Sequence, residues 1–182
     1  MSEDVTQKVI DFYVARETKK GWAIDVDKDE NIRVIKCCDN WKLSQNLSDD
    51  EIQRLVTVDC PESRGLIKGD RRLLKDIARE ADRQLRLALE SGRDKEWRSE
   101  RKRDFLEGLL KKLEMDENVF ESDPIILRPK VPGEPITGSY YLQDGNHRML
   151  AAGIFFLRNR RMPKVIFHIG GSIDKEQFKN HQ

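Results

Sequence analysis

The sequence predicts an α+β fold in a single domain, residues 1–182, and three observations carry that prediction. Through the middle of the chain, apolar residues recur at three- and four-residue spacing. They are Leu74, Ile77, Ala78, Ala81, Leu85, Ala88 and Leu89, then Phe105, Leu106, Leu109, Leu110 and Leu113, the pattern of amphipathic helices. From Asp123 onward, short runs of β-branched and aromatic residues bounded by proline and glycine take over, which reads as strands. Between these strand-like runs, Tyr140 to Gln143 meets the turn dipeptide Asp144-Gly145 and then a helix-forming segment at Met149 to Ala152.

Composition narrows the class. Charged residues make up 37% of the chain and the hydrophobic set another 37%, a balance suited to a folded protein with a very polar surface. No window approaches the roughly eighteen uninterrupted apolar residues of a membrane span. The acidic start Met1-Ser2-Glu3-Asp4 lacks the basic region of a signal peptide. The expectation is a cytoplasmic protein with no membrane partner. Cys37, Cys38 and Cys60 are odd in number and two are adjacent, which fits neither a disulfide framework nor a spaced zinc site. The net charge of +1 conceals a split. Residues 1–63 carry 9 Lys+Arg against 14 Asp+Glu, and residues 64–112 carry 16 against 10. Two mutually attracted surfaces or a polyanion site would each produce such a split.

In chain order, Val5, Val9, Ile10, Tyr13 and Val14 predict an N-terminal helix over residues 4–18, closed by Lys19-Lys20-Gly21. Residues 1–21 are thus a helical extension. Trp22 to Asp27 and Ile32 to Cys37 flank a polar connection and predict an antiparallel hairpin. The acidic residues Asp25, Asp27, Asp29 and Glu30 alternate like a calcium loop but lack its glycine and terminal glutamate. Ser48 and Glu51 form a capping box, so a helix begins at Asp49 and ends by Asp59-Cys60-Pro61. The two basic helices, about residues 74–91 and 98–115, are expected to pack as an antiparallel pair. Strands follow at residues 124–128, 139–143 and 164–169, and a helix from His147 to Asn159 links the last two in a βαβ-like arrangement.

The Asp144-Gly145-Asn146-His147-Arg148 turn carries the most chemistry. A strand-to-helix junction presents free backbone amides and positive dipole potential, which suits a phosphate or carboxylate. Arg148 offers a bidentate fork for phosphate oxygens. His147 is able to donate a hydrogen bond or shuttle a proton near neutral pH. Gly145 permits close backbone approach, and Asn146 is able to bond a phosphate or a base. Asp144 has several roles open to it: orienting His147 or Arg148, holding a metal, or acting as a base. His147 and Asp144 are therefore the catalytic candidates, and Gly145, Asn146, His147 and Arg148 the phosphate- or nucleotide-binding ones. Asp39 and Glu51 are further candidates for a base, and Gly170-Gly171-Ser172 for extra backbone donors. A bland alternative stands beside each role: Asp144-Gly145 as a tight turn with a capping aspartate, and Arg148 in a structural ion pair.

Ile125 to Leu127, Tyr141 to Ala152 with its D-G-N-H-R turn, and Pro163-Lys164-Val165-Ile166 together resemble the ParB/sulfiredoxin superfamily. The resemblance covers residues 123–170. It implies a small mixed sheet with a strand-loop-helix phosphate site. Extended upstream, it makes Ile32 to Cys37 the opening strand and residues 64–115 an inserted pair of basic helices. It also implies a nucleotide such as ATP or CTP, with magnesium held in part by Asp144, and phosphoryl transfer or hydrolysis. Sulfiredoxin chemistry is excluded, because its cysteine before His-Arg is Asn146 here. The alternative is a DNA-binding or nuclease-like protein of ParB type. It would place Arg71, Arg72, Arg79, Arg83, Arg98, Arg101, Lys102 and Arg103 on the nucleic-acid backbone, although the interleaved Glu100 and Asp104 also suit a solvated helix face.

Overall fold

Ile125, Ile126, Leu127 and Arg128 are all buried, and they form the central strand of a five-stranded mixed sheet. The computed structural model describes residues 2–57, 73–91, 100–131, 140–174, 176 and 178. Its strands are β1 (Cys38–Asp39), β2 (Lys42–Gln45), β3 (Val56–Thr57), β4 (Ile125–Arg128), β5 (Tyr141–Asp144), β6 (Phe167–Ile169) and β7 (Ser172–Ile173). The helices among the described residues are α1 (Ser2–Lys19), α2 (Glu30–Lys36), α3 (Asp49–Gln53), α4 (Leu74–Ser91), α5 (Glu100–Met115) and α6 (Asn146–Asn159). The main sheet runs β2-β6-β4-β5-β3, while β1 and β7 pair separately. The fold is mixed α+β.

Alternation along the strands sends successive side chains to opposite faces, so β4 serves two cores. Ile125 and Leu127 join the core built by α4, α5 and α6, together with Leu142, Phe167 and Ile169. Ile126 faces the other way, against Val9, Ile10 and Tyr13 of α1 and Ile32 and Ile35 of α2. Helices therefore cover both faces of the strand, which explains why it reads as an unbroken apolar run.

Helix α6 is buried without interruption from Met149 to Phe155. The basic helices do not pair chiefly with one another; α4 and α5 both pack on α6. The approach to α4 is close, since a Cβ on Gly153 would lie 2.8 Å from the Ala78 methyl carbon. The βαβ expectation also changes. β5 is antiparallel to β4 and β6 is parallel to it, so β5 and β6 run in opposite directions on either side of β4. The parallel pairs are β4 with β6 and β3 with β5.

Two other segments depart from the sequence expectation. The hairpin over residues 22–37 is absent, and Ile32 to Lys36 lies in helix α2. Asp29 caps that helix, accepting from the Ile32 N–H at 3.0 Å. Ile32 and Ile35, three apart, turn to the α1 side, while Val34 and Cys37 meet Val131 and Phe178. Burial on two sides overrides the strand preference of these β-branched residues. The acidic run before the helix has local duties, because Asp25 accepts from the Asp27 N–H at 3.2 Å and pairs with Lys28 at 3.1 Å. The capping box does form, with the Ser48 N–H donating to Glu51 Oε2 at 2.9 Å and Ser48 Oγ accepting from the Glu51 N–H at 3.3 Å. Helix α3 nevertheless stops at Gln53, because Val56 and Thr57 pair with the edge of β5.

Candidate functional site

Strand β5 ends at Asp144 and α6 begins at Asn146, so a single residue makes the turn. Gly145 has φ +89°, and a Cβ there would lie 2.3 Å from Ile125 Cδ1. Both the left-handed backbone and the contact with β4 require glycine. The Gly145 carbonyl accepts the first helical hydrogen bond, from the Met149 N–H at 2.9 Å. The first-turn amides of a helix have no carbonyl within the helix to bond, so α6 brings positive potential to this point.

Arg148 stands in the first turn of α6, only 12% exposed, and its guanidinium is engaged by protein groups. Nη1 lies 2.7 Å from Asp123 Oδ2 and also donates to the Asp123 carbonyl oxygen, and Nη2 lies 3.4 Å from Asp144 Oδ2. A second guanidinium comes from α1. Arg16 pairs with Asp144 Oδ2 and with Glu17 Oε1, the latter at 2.9 Å, and lies 3.8 Å from Asp123 Oδ1. The result is a part-buried cluster of two guanidiniums and two aspartates, formally neutral. Burial lowers the pKa of Arg148, with Asp123 and Asp144 opposing that effect. In Arg16 burial also acts to lower it, but Asp144 and Glu17 prevail and the pKa rises. Of the roles open to Asp144, the one on display is orienting Arg148. Next to it in β5, Gln143 donates to Asn31 at 2.7 Å, and Asn31 donates to the Tyr13 hydroxyl at 2.9 Å. Helices α1 and α2 thereby brace the strand that carries the turn.

The turn opens onto a pocket of about 500 Å³. Asp144, Gly145, Asn146, His147 and Arg148 form one side. Phe105, Leu109 and Lys112 of α5 form another, and Val119, Phe120 and Asp123 come from the segment leading to β4. Lys20, just past α1, completes the rim and is held by Glu17 at 2.7 Å. The His147 and Phe105 rings meet edge to face, with centroids 5.4 Å apart. Asn146 Oδ1 is buried with no hydrogen-bond partner, while Asp123 Oδ1 has the Arg16 guanidinium as its ionic neighbour. The pocket thus combines cationic side chains, an apolar wall and a buried acceptor.

The five residues of the D-G-N-H-R turn meet at this pocket, whereas several other candidates lie elsewhere. Glu51 is occupied in its capping box, and the hydrogen bonds from Ser48 lower its pKa. Asp39 is an exposed residue of β1 that pairs with Ser172 of β7. The Gly170 and Gly171 amides donate to the Leu127 and Asp39 carbonyls at 3.0 and 2.9 Å. Among the basic candidates, Arg79 lies 3.6 Å from Asp76, Arg83 lies 2.6 Å from Glu80, and Arg103 lies 3.1 Å from Asp104. Arg71, Arg72 and Arg98 lie outside the described residues, as do the side chains of Arg101 and Lys102.

Arg16, Lys20, Phe105, Lys112 and Asp123 were not singled out from sequence. Arg16 carried a signal, since it sits seven residues after Val9 and three after Tyr13, on the face of α1 that is buried. An arginine on an apolar helix face requires an internal partner. Asp123 carried none, because its role depends on where β4 begins relative to α6. No family model matches the chain, and neither a curated protein nor a solved structure does.

Proposed function

We propose that the chain binds a nucleotide in the pocket beside the first turn of α6. The observation that carries this reading is the composition of the pocket. Lys112 and the α6 terminus, joined by Lys20 in its ion pair with Glu17, bring positive charge to the same 500 Å³ space that Phe105, Leu109, Val119 and Phe120 line with apolar surface. A phosphate needs the first set and a base the second. Arg148 has a supporting part, because its guanidinium is shared between Asp123 and Asp144 and fixes the turn.

In this reading the ParB/sulfiredoxin resemblance adds the activity, hydrolysis of a nucleoside triphosphate or transfer of its phosphoryl group. His147 is the imidazole on the pocket wall and the side chain there that the proton-transfer role falls to. Magnesium at such a site is held by one or two carboxylates together with the nucleotide's own phosphates. Asp123 and Asp144, the carboxylates on the pocket wall, already pair with guanidiniums, so the ion would be carried chiefly by the phosphates. The nucleotide reading is preferred to the DNA-binding one because the described arginines of α4 and α5 pair with carboxylates on their own helices.

Thermal unfolding with ATP, ADP, CTP or GTP, each with and without magnesium, tests the reading. A ligand that binds the native state raises Tm, by about 2.7 kcal/mol of stabilisation at a hundredfold excess over Kd. Absence of a shift with every nucleotide at millimolar concentration would overturn it. Release of phosphate from the nucleotide that binds, lost in His147→Ala, tests the chemical step.

A further inference from the structure

Phe105 is a large aromatic residue left 54% exposed at the pocket wall. Its ring meets His147, and the remaining ring surface is open to a ligand. One helical turn on, Leu109 adds apolar surface, and Lys112, at i+7 from Phe105, brings a cation to the same side. Lys20, from a different part of the chain beyond the end of α1, lines the same pocket. Cations on separate walls suit charge spread along a ligand better than a single compact phosphate. The buried acceptor Asn146 Oδ1 has no hydrogen-bond donor, and an inorganic polyphosphate carries none to offer, whereas a nucleoside does.

From this arrangement we propose that α5 is the specificity element of the pocket. Phe105 stacks the ligand's planar base, and Lys112 holds the far end of an extended di- or triphosphate. The proposal rests on the nucleotide reading above and adds to it what selects the ligand. It assigns ring recognition and phosphate-chain length to two different residues, so the two roles separate experimentally.

Titration calorimetry with ATP, AMP and inorganic tripolyphosphate, on the wild type, Phe105→Ala, Phe105→Trp and Lys112→Gln, provides the test. Both positions are exposed, and unchanged circular dichroism and Tm confirm that each variant folds. Phe105→Ala is expected to weaken ATP and AMP about tenfold, with tripolyphosphate unaffected, and Phe105→Trp to restore binding. Lys112→Gln is expected to weaken ATP about fivefold while leaving AMP nearly unchanged. Equal loss of ATP and tripolyphosphate in Phe105→Ala overturns the stacking role. Equal loss of ATP and AMP in Lys112→Gln, or no loss of either, overturns the lysine's role. If wild type binds tripolyphosphate as tightly as ATP and Phe105→Ala changes neither, α5 does not read the base, although the anion site stands. If wild type binds none of the three, the proposal falls together with the nucleotide reading.

Discussion

Two positions at the turn have consequences that can be measured. Gly145 combines a φ of +89° with a Cβ position 2.3 Å from Ile125 Cδ1. Left-handed backbone alone costs an L-residue about 1–2 kcal/mol, and the crowding against β4 adds to it. Gly145→Ala is therefore expected to lower stability by ~2 kcal/mol or more in urea denaturation. An unchanged midpoint would contradict the geometry. Arg16 is 8% exposed and pairs with Asp144, itself 17% exposed. Removing one member of a buried pair leaves the other charge poorly compensated, so Arg16→Ala should cost about 3 kcal/mol. A double-mutant cycle with Asp144→Asn should show strong coupling, whereas additive effects would argue that the pair is not energetically linked. The residue-level chemistry of the sequence was legible in part. Asp144 to Arg148 do meet at a pocket, but the partners that engage Arg148 and Asp144 come from positions 16 and 123.

At the scale of elements, α6 joins the site to the core. Its N-terminal turn faces the pocket, and the segment Met149 to Phe155 packs among α4, α5 and the sheet. Gly153 sets the α4–α6 approach, with its would-be Cβ 2.8 Å from that of Ala78. Gly153→Val should overpack this contact and cost about 1–3 kcal/mol, read as a lower Tm. Gly153→Val with Ala78→Gly should recover part of the loss if that contact is the cause. Strand β4 performs a similar task across the sheet. Ile126→Ala removes a fully buried side chain from the α1/α2 core and should cost about 2–5 kcal/mol. Helix positions with clear three-and-four spacing were legible from sequence, as α1, α4 and α5 illustrate. Residues 32–36 were not, because Ile-Arg-Val-Ile-Lys alternates like a strand and only contacts from two sides select the helix.

Across the whole molecule, His168 ties the sheet to α1 and to the neighbouring strand. It lies on β6, 7% exposed, with its ring edge to face with Phe12 and Nδ1 accepting from the Ser44 N–H at 3.2 Å. Burial lowers its pKa, opposed by a hydrogen bond with the Phe167 backbone. A histidine with a lower pKa in the folded state binds fewer protons there than in the unfolded chain, so stability rises with pH through the interval. The contribution is complete above the ordinary histidine value of about 6.5 and is lost as pH falls through the folded-state value. Urea midpoints of the wild type should therefore drop between pH 7.5 and pH 5 by more than those of His168→Gln. Parallel pH profiles for the two proteins would remove His168 as the cause. At this scale, too, no helix among the described residues is long and apolar enough to cross a membrane.

The sequence by itself determined the α+β class, the capping box at Ser48 and Glu51, the glycine turn at 145 and the helix that follows it. Each depends on neighbours within a few residues, where spacing and backbone preference decide the outcome. Tertiary structure decided that β5 and β6 run in opposite directions on either side of β4, and that residues 32–36 coil rather than extend. It also decided that Asp123 and Asp144 hold the two guanidiniums and that Phe105, Lys112 and Lys20 face the turn. Those outcomes depend on segments up to 132 residues apart, as between Arg16 and Arg148 around Asp144, and burial and ion pairing act through space.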